Sequence, residues 1–412
     1  MFQLDKDIFR NKKRSVMKIE TITICGGGNA AHAMIPIIRN HFSGQLNLFL
    51  PFGDEAAYFE KLIEGKRFIT ATIGDKKLYG RPDKVSKFAK EVCKEADLIL
   101  IPLPAFAHEQ TLLQIVPFLK EEAIIGAIPA RSGFEYAALK ILKDNHKEKV
   151  KIFGMQTLPW ACRIKEYAAS VNILGKKKSV GMAAFPHKIT PELASFLSQV
   201  LDLKIDPLPN MLTLTLANVG QIIHPGIMYG LFKGKEQITY QKETIPLFYQ
   251  GVTREIAKTL KAMSDEILVL TEKIKALDKN VNLDHVLALK DWLIYSYESS
   301  IADKSSLQSC FVANSAYQGL RAPMKKINND YFLPDFQARY LTEDVPFGLI
   351  VIKSIAQLAE VETPVIDEII LTISQWMGKE YIRGGFLGGK DIKDTRIPQN
   401  YGMKNLEEII IY

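Results

Sequence analysis

The sequence predicts an α/β domain built on a doubly wound parallel sheet, followed by a helical domain. Three observations predict it. Short β-branched runs alternate with helical stretches through the first half, a glycine turn joins the first run to an apolar helix, and helical periodicity takes over beyond about residue 205. Strands alternating with helices imply parallel pairing with both sheet faces covered. The 412 residues suffice for two domains, which we divide as an extension at 1–17, an α/β domain at 18–205 and a helical domain at 206–412.

Residues 19–25 (IETITIC) read as a buried first strand, and an apolar helix follows at about 30–38. Residues 46–50 form a second strand, after which Asp54 offers an N-cap for a helix over 55–63. The runs 98–102 (LILIP) and 124–128 (IIGAI) are further strands with a helix around 110–119 between them, and another strand begins at 151–153. In the second half, residues 252–277 form one long helix with Ile256, Leu260, Met263, Ile267 and Leu270 at helical spacing. Thr363 caps a later helix, Pro364 fits its first turn, and Ile366, Ile369, Ile370, Ile373 and Trp376 line one face. The segment past 205 is expected to be all helical.

Composition excludes several classes of function. Apolar residues make up 47% and charged residues 24%, a globular balance. No apolar run approaches the roughly 18 residues of a membrane span. The polar first residues, with Lys12, Lys13 and Arg14, lack the apolar region of a signal peptide, and Asp5 and Asp7 argue against a transit peptide. A loose extension is expected there, with Met17 a second candidate start. Cys25, Cys93, Cys162 and Cys310 form no C-x-x-C pair, so neither zinc nor a disulfide framework is expected, and a reducing cytoplasm fits. No cluster has the spacing of metal ligands. The net charge of +7 is spread out, apart from Lys176, Lys177 and Lys178, and lacks the basic stripe of a nucleic-acid binder. It suits small anions instead. The oligomeric state is left open.

The turn Gly26-Gly27-Gly28-Asn29-Ala30-Ala31 fits G-x-G-x-x-A between a strand and a helix, the setting of a Rossmann-type dinucleotide site. Gly26 makes the tight turn, Gly28 lets backbone approach a pyrophosphate, and Ala31 lets helix pack on strand. The helix N-terminus, starting at Asn29 and Ala30, then faces the phosphate charge. A strand–helix turn without ligand is the bland alternative. The second strand's tip, Leu50-Pro51-Phe52-Gly53 with Asp54 and Glu55 beyond, offers no lysine or arginine to a 2′-phosphate. This favours NAD over NADP.

Most histidines read as ordinary. His41, His146, His187 and His285 are expected to be solvated or on a helix flank. His32 is a packing residue or a cofactor neighbour, and His108 follows a strand end that faces the ligand crevice, as does Pro104. His224 precedes Pro225-Gly226, expected to break or kink the helix and present the ring to a cleft; a core histidine is the alternative. In Arg339-Tyr340-Leu341-Thr342-Glu343-Asp344, Arg339 is a carboxylate binder or a surface ion pair. Asp344 is a cap or the orienter of a histidine. Arg131, past the 124–128 run, is a further cationic candidate. Trp160 and Arg163 line a site or pack a seam.

Taken with these, GGGNAAHA (26–33), PAFAHE (104–109), TLPWACRIKE (157–166), HPGIMYG (224–230), FYQG (248–251), RYLTEDVPFG (339–348), GKEY (378–381) and YG (401–402) resemble the opine dehydrogenases from about Lys18 to the C-terminus. The resemblance implies reductive condensation of an α-keto acid, commonly pyruvate, with the amino group of an amino acid at the expense of NADH. It implies His224 as catalytic histidine, Asp344 as its acidic partner, Arg339 as a substrate-binding arginine and Cys162 as a neighbour of the amino acid. In octopine-forming members the residue before TLPWACR is a glutamate facing the cationic substrate; here it is Gln156, which favours a neutral or small amino donor. Two other readings use the same features: a hydroxyacid or polyol-phosphate dehydrogenase needing no amine, and a non-enzymatic dinucleotide sensor.

Overall fold

The computed structural model describes residues 17–410; the expected extension before Met17 lies outside them. The α/β part is built on an eight-stranded sheet in the order Lys204–Pro207, Ser179–Phe185, Lys151–Met155, Ile124–Ala127, Leu98–Ile101, Thr21–Cys25, Gln45–Phe49, Lys84–Ser86. Every neighbour from Lys84–Ser86 to Lys151–Met155 pairs in parallel. The sheet is not parallel throughout, however. Ser179–Phe185 runs antiparallel to Lys151–Met155, with Lys204–Pro207 parallel beside it. The reason is the connection: between Met155 and Ser179 the chain forms strands instead of the crossover helix that a parallel return needs.

Those strands, Trp160–Glu166 and Ser170–Lys176, join Ile69–Ile73 and Lys76–Gly80 in a second, four-stranded sheet. The helix Asn29–His41 lies between the two sheets, which is why Ala30 to Ile38 are all buried. A helix apolar all round is what such a position demands. The helix Glu55–Ile63 starts where expected, although the Asp54 side chain makes no capping bond.

The second part is helical around its own core. The long helix is Arg254–Leu277, capped by Thr253, whose Oγ1 accepts from the Ile256 amide at 3.2 Å. Its Leu260, Met263, Ile267 and Leu270 meet Ile366, Ile369, Ile370 and Ile373 of the helix Pro364–Met377 in one apolar cluster. The capping of that second helix comes from across the fold. Glu266 accepts from the amides of Val365 and Ile366 at 2.7 and 3.0 Å, while Thr363 bonds the Asp367 side chain. Two further corrections belong here. The segment is not helical alone: Tyr240–Gln241, Tyr331–Pro334 and Met324–Lys326 form a small sheet, and Ile382–Arg383 pairs with Phe386–Leu387. And the helix Gly220–Phe232 runs on through Pro225 without a break. Gly226 instead sets the approach of the long helix, since a Cβ there would fall 2.5 Å from Leu260 Cδ2.

Candidate active site

Three chain segments meet where the α/β part faces the helical part. The His224 helix supplies His224. The segment Arg339–Leu349 supplies Arg339, Glu343 and Asp344. The loop after Ile124–Ala127 supplies Arg131, in a left-handed conformation with φ 61°. Strand C-terminal ends face ligands in such sheets, so Arg131 stands where substrate chemistry is expected. The Ser132 amide donates to the Phe347 carbonyl at 3.0 Å and ties the loop to the Asp344 segment.

Asp344 is 1% exposed and pairs with two groups at once. Its Oδ2 lies 2.7 Å from His224 Nδ1, and its Oδ1 lies 2.8 Å from Arg131 Nη1 as an ion pair without a well-directed N–H. Burial opposes its charge, but Arg131, His224 and Arg339 outweigh burial and hold the carboxyl below the usual range. Asp344 therefore accepts, and His224 Nδ1 carries the proton it donates. His224 Nε2 faces the Tyr249 hydroxyl at 3.1 Å, and the ring stacks on Tyr340 with centroids 4.1 Å apart.

Glu343, 2% exposed, is the second centre. Its Oε1 accepts from the Ala105 amide at 3.0 Å. Its Oε2 accepts from Arg339 Nε and Nη2 at 3.1 and 2.6 Å and, at a long 3.4 Å, from Arg131 Nη2. One buried acid thus links the loop after Leu98–Ile101, which holds Pro104, to both arginines. Arg339 itself remains mostly exposed.

The glycine turn fits a dinucleotide. Gly26 has φ 97°, and its amide donates to the Phe49 carbonyl at 2.8 Å. A Cβ on Gly28 would meet nothing within 4 Å, so the backbone is open there. No side chain caps the first helix, which leaves its N-terminal amides available to an anion. Ala30 and Ala31 are buried, Ala31 at 1%. The Asn29 side chain accepts from the Ile164 amide at 2.7 Å and anchors the turn to the second sheet. Glu55, at the start of its helix, folds its carboxylate back over the turn: a Cβ on Gly27 would lie 2.3 Å from Oε1. The Tyr167 hydroxyl donates to that oxygen at 2.5 Å.

The other expected residues make contacts of their own. Cys162 is 4% exposed and packs with Trp160 in the α/β core, and burial raises its thiol pKa. Strand alternation explains this: Trp160 and Cys162 point into the core, whereas Ala161 and Arg163 are exposed on the other face. Gln156 donates its amide to the Ala217 carbonyl at 2.7 Å, one turn before the His224 helix. His108 does not line the crevice. It is fully buried, bonded to the Leu103 carbonyl at 2.9 Å and 3.3 Å from Arg396 Nη1. His32 is a packing residue, whose Nε2 accepts from the Ala168 amide at 2.8 Å. Glu343, Tyr249, Tyr340 and Glu55 went unassigned in the sequence. Three of them lie in quoted stretches or beside one, but only tertiary contact distinguishes them.

A glycine turn open to a dinucleotide, together with a part-buried His–Asp pair and two arginines, fits a nicotinamide-dependent oxidoreductase acting on anionic substrates. Residues 207–377 match the family model described as "NAD/NADP octopine/nopaline dehydrogenase, alpha-helical domain". The chain is 36% identical to an opine dehydrogenase of Haliotis discus hannai, over 95% of this chain and 98% of that one. It is 34% identical to a tauropine dehydrogenase of Arabella iricolor, over 94% and 99%. The solved structure of octopine dehydrogenase with NADH and L-arginine matches with a TM-score of 0.88 at 30% identity, covering 95% and 97%. Its complex with NADH and pyruvate matches at 0.86 and 29%, with the same coverage. The chain belongs to the opine dehydrogenase family. It is an NAD(P)-dependent oxidoreductase of the CH–NH group, joining an α-keto acid to the amino group of an amino acid by reduction. No helix among the described residues is long and apolar enough to cross a membrane.

Proposed function

We propose that the protein condenses pyruvate with a neutral amino acid and prefers NADH as reductant. The observation that carries this is the His224–Asp344 pair at 2.7 Å with Arg131 behind it. An amine must be neutral to attack a carbonyl, and the departing oxygen needs a proton. His224, oriented by Asp344, takes the first proton and returns it to the leaving hydroxyl. The bound dinucleotide supplies the hydride. Arg339 and Arg131 anchor substrate carboxylates, exchanging part of their hold on Glu343 for the ligand. Gln156, tethered to Ala217 next to the His224 helix, lines the amino-acid side and lacks the charge a guanidinium would need.

Preference for NADH is supported by Glu55. Its carboxylate over Gly27 suits ribose hydroxyls and repels a 2′-phosphate. The cavity of about 600 Å³ by Phe49, Pro51 and Phe88 lies off the second strand's tip, where an adenine end belongs, and shares no lining residue with the His224 group. Four buried free thiols fit a reducing cytoplasm.

The test follows NADH absorbance with pyruvate and a panel of amino acids, each also run without amine. Amine-dependent oxidation that His224→Ala abolishes is expected, and Gln156→Glu should raise the efficiency with arginine. Oxidation with keto acid alone would make the protein a hydroxyacid dehydrogenase. NADH binding without turnover of any substrate would make it a sensor.

A further inference from the structure

Asn218 stands between two helices, Met211–Leu216 and Gly220–Phe232, just ahead of the one that carries His224. It is 5% exposed, yet its side chain makes no hydrogen bond to the protein, and Nδ2 is buried without a partner. The other buried asparagines among the described residues behave differently. Asn47 donates to the Val92 carbonyl at 3.3 Å, Asn210 caps its helix by accepting from the Thr213 amide at 2.7 Å, and Asn314 accepts from the Ala316 amide at 3.0 Å. An asparagine just ahead of a helix ordinarily caps it. Asn218 does not, because the amides of Gln221 and Ile222 go to the backbone carbonyls of Asn218 and Val219 at 3.2 and 3.0 Å.

Its neighbours form the charged centre of the site. A Cβ on Gly220 would lie 3.1 Å from Arg131 Nη1, 3.4 Å from Asn218 Oδ1 and 3.5 Å from Asp344 Oδ1, so three polar groups converge on the bare face of that glycine. Arg131 Nε and Asp344 Oδ1 are likewise buried without a directed hydrogen bond. Burying such groups is unfavourable unless something completes their bonding. An amide that serves neither a cap nor a network, and that stands beside the arginine of the site, has the character of a ligand contact.

We propose that Asn218 is a further binding residue for the amino donor, its amide joining Arg131 in holding the donor's carboxylate. The inference rests on the reading of Arg131 and Gln156 as parts of the substrate site. Gln156 donates to the carbonyl of Ala217, the residue before Asn218, which brings Asn218 to the amino-acid side of that site. An amide carries one acceptor and one donor group, and a half-turn of its plane exchanges them. Here the half-turn breaks no hydrogen bond to the protein. Oδ1 suits the neighbouring Arg131 cation, and a carboxylate seated on Arg131 attracts Nδ2 instead. Arg131 then supplies the charge and Asn218 a neutral donor beside it, so the carboxylate is located as well as attracted. Glycine at 220 keeps the meeting point clear.

The test is Asn218→Ala, which removes the amide and adds no bulk. Donor affinity is read by calorimetry on the NADH-loaded protein and by the Michaelis constant for the amino acid. Both should weaken about tenfold to a hundredfold, while the Michaelis constant for pyruvate and the affinity for NADH change little. The thermal midpoint of the ligand-free protein should hold, because the lost amide made no hydrogen bond there. Asn218→Ser, which returns a short donor, should recover part of the affinity. Gly220→Ala leaves every polar group in place, favours the helix and should weaken donor binding by crowding Arg131. An active wild type whose Asn218→Ala and Gly220→Ala variants bind the donor unchanged would overturn the role of Asn218 alone. So would an Asn218→Ala variant with a lowered midpoint and full donor affinity, the pattern of a structural asparagine. A wild type without amine-dependent turnover would overturn the reading beneath it as well.

Discussion

Burial alone would favour a neutral Asp344, because a carboxylate at 1% exposure has lost its water. Arg131 on one oxygen and His224 on the other reverse that preference. The sign for stability follows. A depressed folded pKa contributes stability above the ordinary carboxylate pKa of about 3.9, and that contribution is lost as pH falls through the lower folded value. Asp344→Asn keeps the volume and removes the charge. It leaves Arg131 only its long contact with Glu343 and leaves the His224 tautomer unfixed. Turnover should drop by about 10² to 10⁴ while NADH affinity, read by fluorescence titration, stays near wild type. Retained turnover would show that Asp344 only packs. The residue names were legible before the fold, since RYLTED and HPG stand out in the chain. The division of labour was not. Glu343 sits beside Asp344 in sequence, and only the contact between its Oε1 and the distant Ala105 amide reveals it as a link between the loop that holds Pro104 and the two arginines.

At the scale of elements, local chemistry reaches furthest in the glycine turn. Gly26 at φ 97° needs the freedom that only glycine has, and a Cβ there would also fall 2.4 Å from Leu103 Cδ2. Gly26→Ala should cost about 1–2 kcal/mol from backbone conformation and weaken NADH binding at least severalfold, measured by urea unfolding and by titration. Unchanged affinity would mean that the dinucleotide sits elsewhere. The long helices were legible for the same reason as the turn: apolar spacing of 3.6 and capping residues are local signals. The strands Tyr240–Gln241, Met324–Lys326 and Tyr331–Pro334 were not, because two to four residues carry too little pattern. Pro225 misled for a related reason. Proline disfavours a helix locally, but the packing of Ile222, Ile223, Ile227 and Met228 into the core carries this helix through it.

Across the whole molecule, a buried polar seam joins the two parts. Arg396, from near the C-terminus, is fully buried, donates to the Ala130 carbonyl at 3.0 Å and lies over the Phe347 ring. It thereby holds the loop that presents Arg131. Near it, Glu135 is 4% exposed, with Thr215 Oγ1 donating to Oε1 at 2.8 Å and Oε2 unpartnered. Burial pushes its pKa up to about 7. A raised folded pKa makes the sign opposite to that of Asp344. The contribution is fully present below the ordinary glutamate pKa of about 4.3 and is lost as pH rises through about 7. Glu135→Gln should therefore remove a decline in stability of up to about 4 kcal/mol across that window, followed by thermal melting between pH 4 and 8. Parallel curves for variant and wild type would show that Glu135 does not titrate there.

The sequence by itself determined the two-part architecture, the glycine turn and the candidates His224, Asp344 and Arg339. These rest on local periodicity, on a turn that only glycine permits and on motif stretches that are contiguous in the chain. Tertiary structure alone decided that Cys162 faces the core, that His108 is sealed beneath Arg396, and that Glu343, Tyr249 and Tyr340 surround the His224–Asp344 pair. His224 and Asp344 are 120 residues apart. What each polar side chain does was set by which segments folding brings within hydrogen-bond distance, and no local pattern encodes that distance.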